Sequence, residues 1–165
     1  MRLLSTITLA LMLTLPAQLE AQSSKVRDQG KQMGRGVPTD RDTILRVQIF
    51  LDQNLFCPGK LDGALGEFSY KAVVNYNFAH GRRDLYDWAS VVEEATNDVP
   101  SAYARHRIRE ELFAFINPDL PEEPELWQSF KAMSYRSMME LVAERFHTDE
   151  TFLAKINPGR DLNYL

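Results

Sequence analysis

The side chains able to do nucleophilic or metal chemistry are few and dispersed in this chain. The single cysteine, Cys57, sits in Phe56-Cys57-Pro58-Gly59. A cysteine nucleophile needs a nearby histidine and an orienting acceptor, and the local pattern reads instead as a small, half-buried thiol beside a turn. The three histidines, His80, His106 and His147, are far apart, with no His-x-x-x-His pair and no second cysteine. No metal site and no cofactor are therefore expected. Acidic pairs at Glu93-Glu94, Glu110-Glu111 and Glu122-Glu123 supply the residue type used by two-carboxylate glycosidases. They fall on predicted solvent faces or in a linker, where such pairs mainly solvate the chain. No Gly-rich phosphate loop of the P-loop type occurs. One basic cluster stands out, Arg105-His106-Arg107-Ile108-Arg109. It offers bidentate contacts to the carboxylates of a peptide or an acidic partner, or the charges that protect an exposed strand edge.

These residues must be positioned by a small scaffold. The chain has 165 residues, hydrophobic 44% and charged 25%, enough for one ordinary domain or two very small ones. The formal net charge of -4 argues against nucleic acid, whose phosphates demand a basic footprint. At the N-terminus, Arg2 precedes an apolar run from Leu3 to Leu15, ended by Pro16, with Ala21 as a small residue at the cleavage point. That layout predicts a secretory signal peptide over 1–21. The run is shorter than the roughly 20 apolar residues of a spanning helix, so no membrane association is expected after cleavage. The expected destination is the periplasm or cell wall. With one cysteine no internal disulfide forms, and the mature fold must be held by packing.

Residues 22–38 are polar and glycine-containing, without apolar periodicity, and are read as a flexible tether. Thr39 is the expected cap of a first helix, with Asp40 and Asp42 in its first turn. Ile44, Val47, Leu51 and Leu55 form its stripe. Asn54 and the Pro58-Gly59 pair stop it, and a loop through Asp62-Gly63 to Gly66 follows. A second helix is predicted from about Phe68 to Phe78, with Ala72, Val73 and Tyr76 facing the core and Gly81 as its stop. Asp84 is expected to cap a third, carrying Leu85, Trp88, Val92 and Ala95 up to Pro100. Tyr103 to Ile116 reads as a strand with one basic face, then a short helix. Pro118, Pro121 and Pro124 stiffen a linker. Met138, Met139, Leu141, Val142 and Phe146 mark another helix. Thr148 or Asp149 caps a last one, carrying Phe152, Leu153 and Ile156 and stopped at Asn157-Pro158-Gly159. Two short helices bury too little surface alone, so this last unit must dock elsewhere or is incomplete.

The loop between the first two helices carries a resemblance. Val47-Gln48, Leu51, Phe56, Pro58-Gly59, Leu61-Asp62-Gly63, Gly66, Ser69, Ala72-Val73 and Tyr76-Asn77 resemble the peptidoglycan-binding-like domain. Leu55 stands where that family prefers glycine, and Tyr76-Asn77 replaces its Phe-Gln. Toward the C-terminus, Tyr135, Leu141-Val142-Ala143, Phe146, Leu153 and Asn157-Pro158-Gly159 resemble a LysM repeat, a module for N-acetylglucosamine-containing glycans. The closing strand of such a repeat would lie beyond Leu165. The order as a whole resembles the N-terminal, non-catalytic region of exported L,D-transpeptidases. The catalytic His…Ser-x-Gly-Cys-x-Arg arrangement of those enzymes is absent here.

The expectation is thus a mainly α protein: a three-helix peptidoglycan-binding-like domain at 39–99, a connecting segment and Pro-rich linker at 100–132, and a small, incomplete LysM-like α+β segment at 133–165. The resemblance implies non-catalytic binding of peptidoglycan glycan and stem peptide. The alternatives are a fragment or inactive relative of an L,D-transpeptidase, and a module docking an envelope protein. Asp62, Gly63, Tyr70, Tyr76, Asn157 and Asp161 are the candidate ligand-binding residues. For Asp62 before Gly63 the residue types also predict a turn in which the carboxylate accepts backbone N–H bonds. Tyr70 lies off the inner stripe of its helix and is the better sugar-stacking candidate than Tyr76.

Overall fold

The computed structural model describes residues 34–121, 123–130 and 132–162. The predicted signal peptide and residues 22–33 of the predicted tether lie outside the described residues. The rest of that segment is not a free tether, since Arg35 O accepts from Ala89 N at 3.2 Å, Val37 packs on the helical core and Pro38 is buried. Within the unit that begins at Arg35, the described residues are mainly helical: α1 (Arg41–Gln53), α2 (Glu67–Ala79), α3 (Trp88–Asp98), a 3-10 helix (Glu110–Phe115), α4 (Pro124–Trp127), α5 (Met138–Arg145) and α6 (Glu150–Ile156). No helix among the described residues is long and apolar enough to cross a membrane.

The first three helices share one core. Val47, Phe50 and Leu51 of α1 meet Ala72, Val73 and Tyr76 of α2, and Trp88, Val91 and Ala95 of α3 close the layer. The α1 stripe ends at Leu51. Leu55, read as its next member, is 87% exposed with φ 66, because the helix has already ended at Gln53. Arg46 pairs with Asp42 (2.7 Å) and donates to the carbonyls of Val99 and Pro100, both at 2.9 Å. It thereby satisfies acceptors that the end of α3 leaves open.

Helix starts differ from expectation by a residue or a turn. Asp40, not Thr39, caps α1, accepting from Thr43 N at 2.9 Å. Asp84 closes the preceding turn by accepting from Tyr86 N, and Asp87 caps α3 through Ser90. Neighbouring residues able to cap compete, and the outcome depends on which backbone enters the helix from an extended conformation.

The caps carry a pH signature. The N–H groups of Thr43 and Phe152 hold the Asp40 and Asp149 carboxylates below their ordinary value of 3.8, aided at Asp149 by Lys60; the Ser90 hydroxyl and N–H do the same for Asp87. A carboxylate lowered in the folded state contributes stability that is present above the unfolded value and lost as pH falls through the folded one. Denaturant midpoints should therefore decline on acidification below about pH 4. In Asp149→Asn, which retains a cap but no titration, that decline should be smaller.

The predicted strand at 103–109 is not a paired strand. The one bridge among the described residues is Ile116 with Tyr135, parallel, flanked by Asn117 N to Tyr135 O (2.7 Å) and Tyr135 N to Phe115 O (2.9 Å). It lays the 3-10 segment over α5 and α6, where Ile108, Leu112, Phe113 and Ile116 pack on Met138, Leu141, Val142, Ala143 and Leu153. Ser137 and Asp149 cap these two short helices, accepting from Glu140 N and Phe152 N. The pair also docks on the first three helices. Phe152 buries itself with Leu45 and Leu61, Leu61 N donates to His147 O at 3.0 Å, and Thr148 Oγ1 donates to Leu61 O at 2.7 Å. The mainly helical class is as expected, while the described C-terminal residues form a helix pair with that single bridge.

Candidate functional site

The loop between α1 and α2 is organised by one buried side chain. Gln48 is 1% exposed, and its Oε1 accepts from the N–H groups of Asp62 (3.1 Å) and Gly63 (2.8 Å). Its Nε2 donates to Ala64 O at 2.9 Å. Asp62 accepts from Ala64 N at 2.9 Å, the turn geometry its type suggested. Ser69, also buried, donates to Pro58 O at 3.2 Å. Gly63 has φ 68 and lies against Arg41, whose carbonyl would be 2.9 Å from any Cβ there. These residues hold a shape, and Gly63 is itself buried.

Leu55 adds strain to this loop. A non-glycine residue in the left-handed region costs roughly 1–2 kcal/mol, and this leucine buries almost nothing in return. Leu55→Gly should raise stability by about 1 kcal/mol, allowing for the extra freedom of glycine when unfolded. A guanidinium titration with an unchanged slope would read it directly.

The aromatic candidates separate. Tyr76 is 5% exposed, and its ring lies edge-on to those of Phe50 and Phe56, each at 5.2 Å. Its hydroxyl donates to Glu94 at 2.6 Å. Burial, then that bond, pushes the phenol up to about 12, so it remains a donor at neutral pH. Arg82 completes the group by pairing with Glu94 and donating to Asn77 Oδ1 (2.7 Å). Tyr76 is a core residue and presents no ring face to a ligand. Tyr70 is half-buried and stands edge-on against Trp88 at 5.2 Å, keeping part of its ring accessible.

A groove of about 860 Å³ runs between α1, the 101–108 segment and the α5–α6 pair. Leu45, Ile49, Val142, Phe146, Phe152 and Ile156 provide apolar walls, and His106, Arg145, His147 and Asn157 bring polar groups to it. Both segments that carry the resemblances contribute. The size and mixture suit a small-molecule or glycan-sized ligand. His147, at φ 51 just past α5, sets Nδ1 2.7 Å from Asp52 Oδ2, so the carboxylate orients the imidazole. His106 stands edge-on to Phe146 at 5.3 Å. Two nearby hydroxyls are engaged with backbone: Ser101 donates to Tyr103 O and Thr148 to Leu61 O.

Of the sequence candidates, Asn157 lines the groove, its Nδ2 donating to Leu153 O at 2.9 Å. Asp62, Gly63, Tyr70, Tyr76 and Asp161 do not line it; Asp161 is exposed beyond α6. Cys57 is exposed, rather than half-buried, at φ 46. Among the described residues no group of three His, Cys, Asp or Glu side chains could hold a metal ion. His147 and Asp52, missed in the sequence, are joined only by tertiary packing across 95 positions, and no local signal marks such a pair. Comparison with known proteins finds no matching family model, no matching curated protein and no matching solved structure.

Proposed function

We propose that this chain is an exported, non-catalytic binder of bacterial peptidoglycan. The observation that carries the reading is the convergence of the motif residues. Gln48, Pro58, Asp62, Gly63 and Ser69, dispersed along the pattern that resembles the peptidoglycan-binding-like domain, form one interlocked loop. The groove between this three-helix unit and the helix pair that resembles part of a LysM repeat supports the same reading. It offers apolar walls for sugar rings and methyl groups, with Asn157 and two histidines for hydroxyl and amide groups. Recognition here is by shallow contacts that gain from being held together in one unit. The rival in which the chain is an inactive relative or a fragment of an L,D-transpeptidase shares the same binding step.

The test is co-sedimentation of the chain from Gln22 onward with purified sacculi, beside Phe146→Ala. Phe146 is 41% exposed, so truncation removes groove wall at small cost to the fold. Saturable retention competed by soluble muropeptides, and weakened in the variant, is the expected result. A well-folded protein that stays in the supernatant would end the proposal and turn attention to a protein partner.

A further inference from the structure

The arginines of the basic run lie outside the contacts described so far. From Ala104 onward its side chains alternate: Ala104, His106 and Ile108 line the groove, whereas Arg105, Arg107 and Arg109 are exposed and are not among the residues that line it. Among the described residues none of the three guanidinium groups makes a hydrogen bond or an ion pair, although acidic residues outnumber basic ones in the chain. The backbone is unengaged up to Ile108, and the Arg109 carbonyl accepts from Leu112 N at 3.1 Å. No backbone hydrogen bond among the described residues involves Ala104 to Ile108. An extended edge with open donors and acceptors and a guanidinium at every second position is suited to an extended partner chain bearing carboxylates.

We propose that Arg105, Arg107 and Arg109 bind the free carboxylates of peptidoglycan stem peptides, with the unpaired backbone of 104–108 aligning the peptide along the groove rim. The inference rests on the wall-binding reading and assigns the peptide half of the ligand to this edge, leaving the glycan to the groove. Stem peptides are short, extended and rich in free carboxylates, so their charge complements the one concentrated cationic segment of an acidic protein. Planar guanidinium groups pair such carboxylates in fork geometry.

The test measures binding of a soluble tripeptide stem, L-Ala-γ-D-Glu-meso-diaminopimelate, to the chain by calorimetry. The comparisons are the same peptide with its carboxylates amidated and the triple variant Arg105→Gln/Arg107→Gln/Arg109→Gln. The three side chains are exposed, so the variant should fold, as circular dichroism checks. Binding to wild type, weakened at least tenfold by amidation and by the triple variant and declining with added salt, is expected. Absence of peptide binding, or binding indifferent to both changes, overturns the assignment. So does a triple variant that merely self-associates, which would make the charges a guard on an open edge. Glycan strands stripped of stem peptides separate the two readings. If they still co-sediment with the chain while the peptide fails, only this inference falls; if intact sacculi fail as well, the wall-binding reading falls with it.

Discussion

Replacing Gln48 by leucine should cost about 3 kcal/mol of folding stability, although the two side chains are similar in size and the site is buried. The carboxamide satisfies three backbone groups at once: the N–H groups of Asp62 and Gly63 and the carbonyl of Ala64. An apolar replacement leaves all three without their partner in a loop packed against α1. A buried unpaired polar group costs roughly 1–3 kcal/mol, reduced here because Asp62 and Ala64 can regain some water. The gain from burying a leucine is the opposing term and is smaller, since Gln48 already fills the space. Ser69→Ala, which removes one bond of 3.2 Å to Pro58 O, should cost only about 1 kcal/mol. Urea titrations of the three proteins give the comparison. Equal midpoints for wild type and Gln48→Leu would show that the loop does not depend on the carboxamide.

Gly63→Ala should be as damaging, for a different reason. At φ 68 an added Cβ is strained wherever it occurs, and here it would also meet the Arg41 side chain and lie 2.9 Å from the Arg41 carbonyl oxygen. Side chain can yield, but the first turn of α1 cannot move without losing the Asp40 cap and the docking of Arg41 over the Phe152 ring at 5.9 Å. Gly81 isolates the two contributions. Its φ is 67 and nothing lies within 4 Å of a Cβ built there. Gly81→Ala should therefore cost only the conformational strain, about 1 kcal/mol, and Gly63→Ala about 3 kcal/mol, the excess being steric. Similar losses at both positions would mean that Arg41 rearranges freely. Because α1 and α6 meet at Arg41 and Phe152, the Gly63 variant should also loosen the groove, which reduced hydrogen-exchange protection at Phe152 and Leu153 would report.

Much of the helical scaffold was legible because its signals are local. The stripe Ile44, Val47, Leu51 and the Ala72-Val73-Tyr76 set announced buried helix faces through their spacing, and both sets are buried. Pro58-Gly59, Gly81 and Asn157-Pro158-Gly159 announced the breaks. Leu55 misled because its spacing placed it on the stripe, although Asn54, already marked as a stop, ends the helix first. The strand reading of 103–109 misled differently. Alternation of arginine with smaller residues does reflect an extended chain facing two ways, but a strand also needs a partner, and none of the described residues supplies one.

The candidate site was legible only in pieces. Asp62 and Gly63 were identifiable as a turn because Asp-Gly chemistry is contained in two residues. Nothing in the chain around Gln48 indicates that its carboxamide reaches 14 and 15 residues forward to hold that turn. By itself, then, the sequence determined the helices, their breaks and the requirement that the last two helices find cover, because periodicity, capping and turn chemistry act over a few residues. Only the tertiary structure decided what covers them. Leu61 meets Phe152, His147 meets Asp52, and the groove opens between elements whose apolar faces are matched in space but share no pattern along the chain.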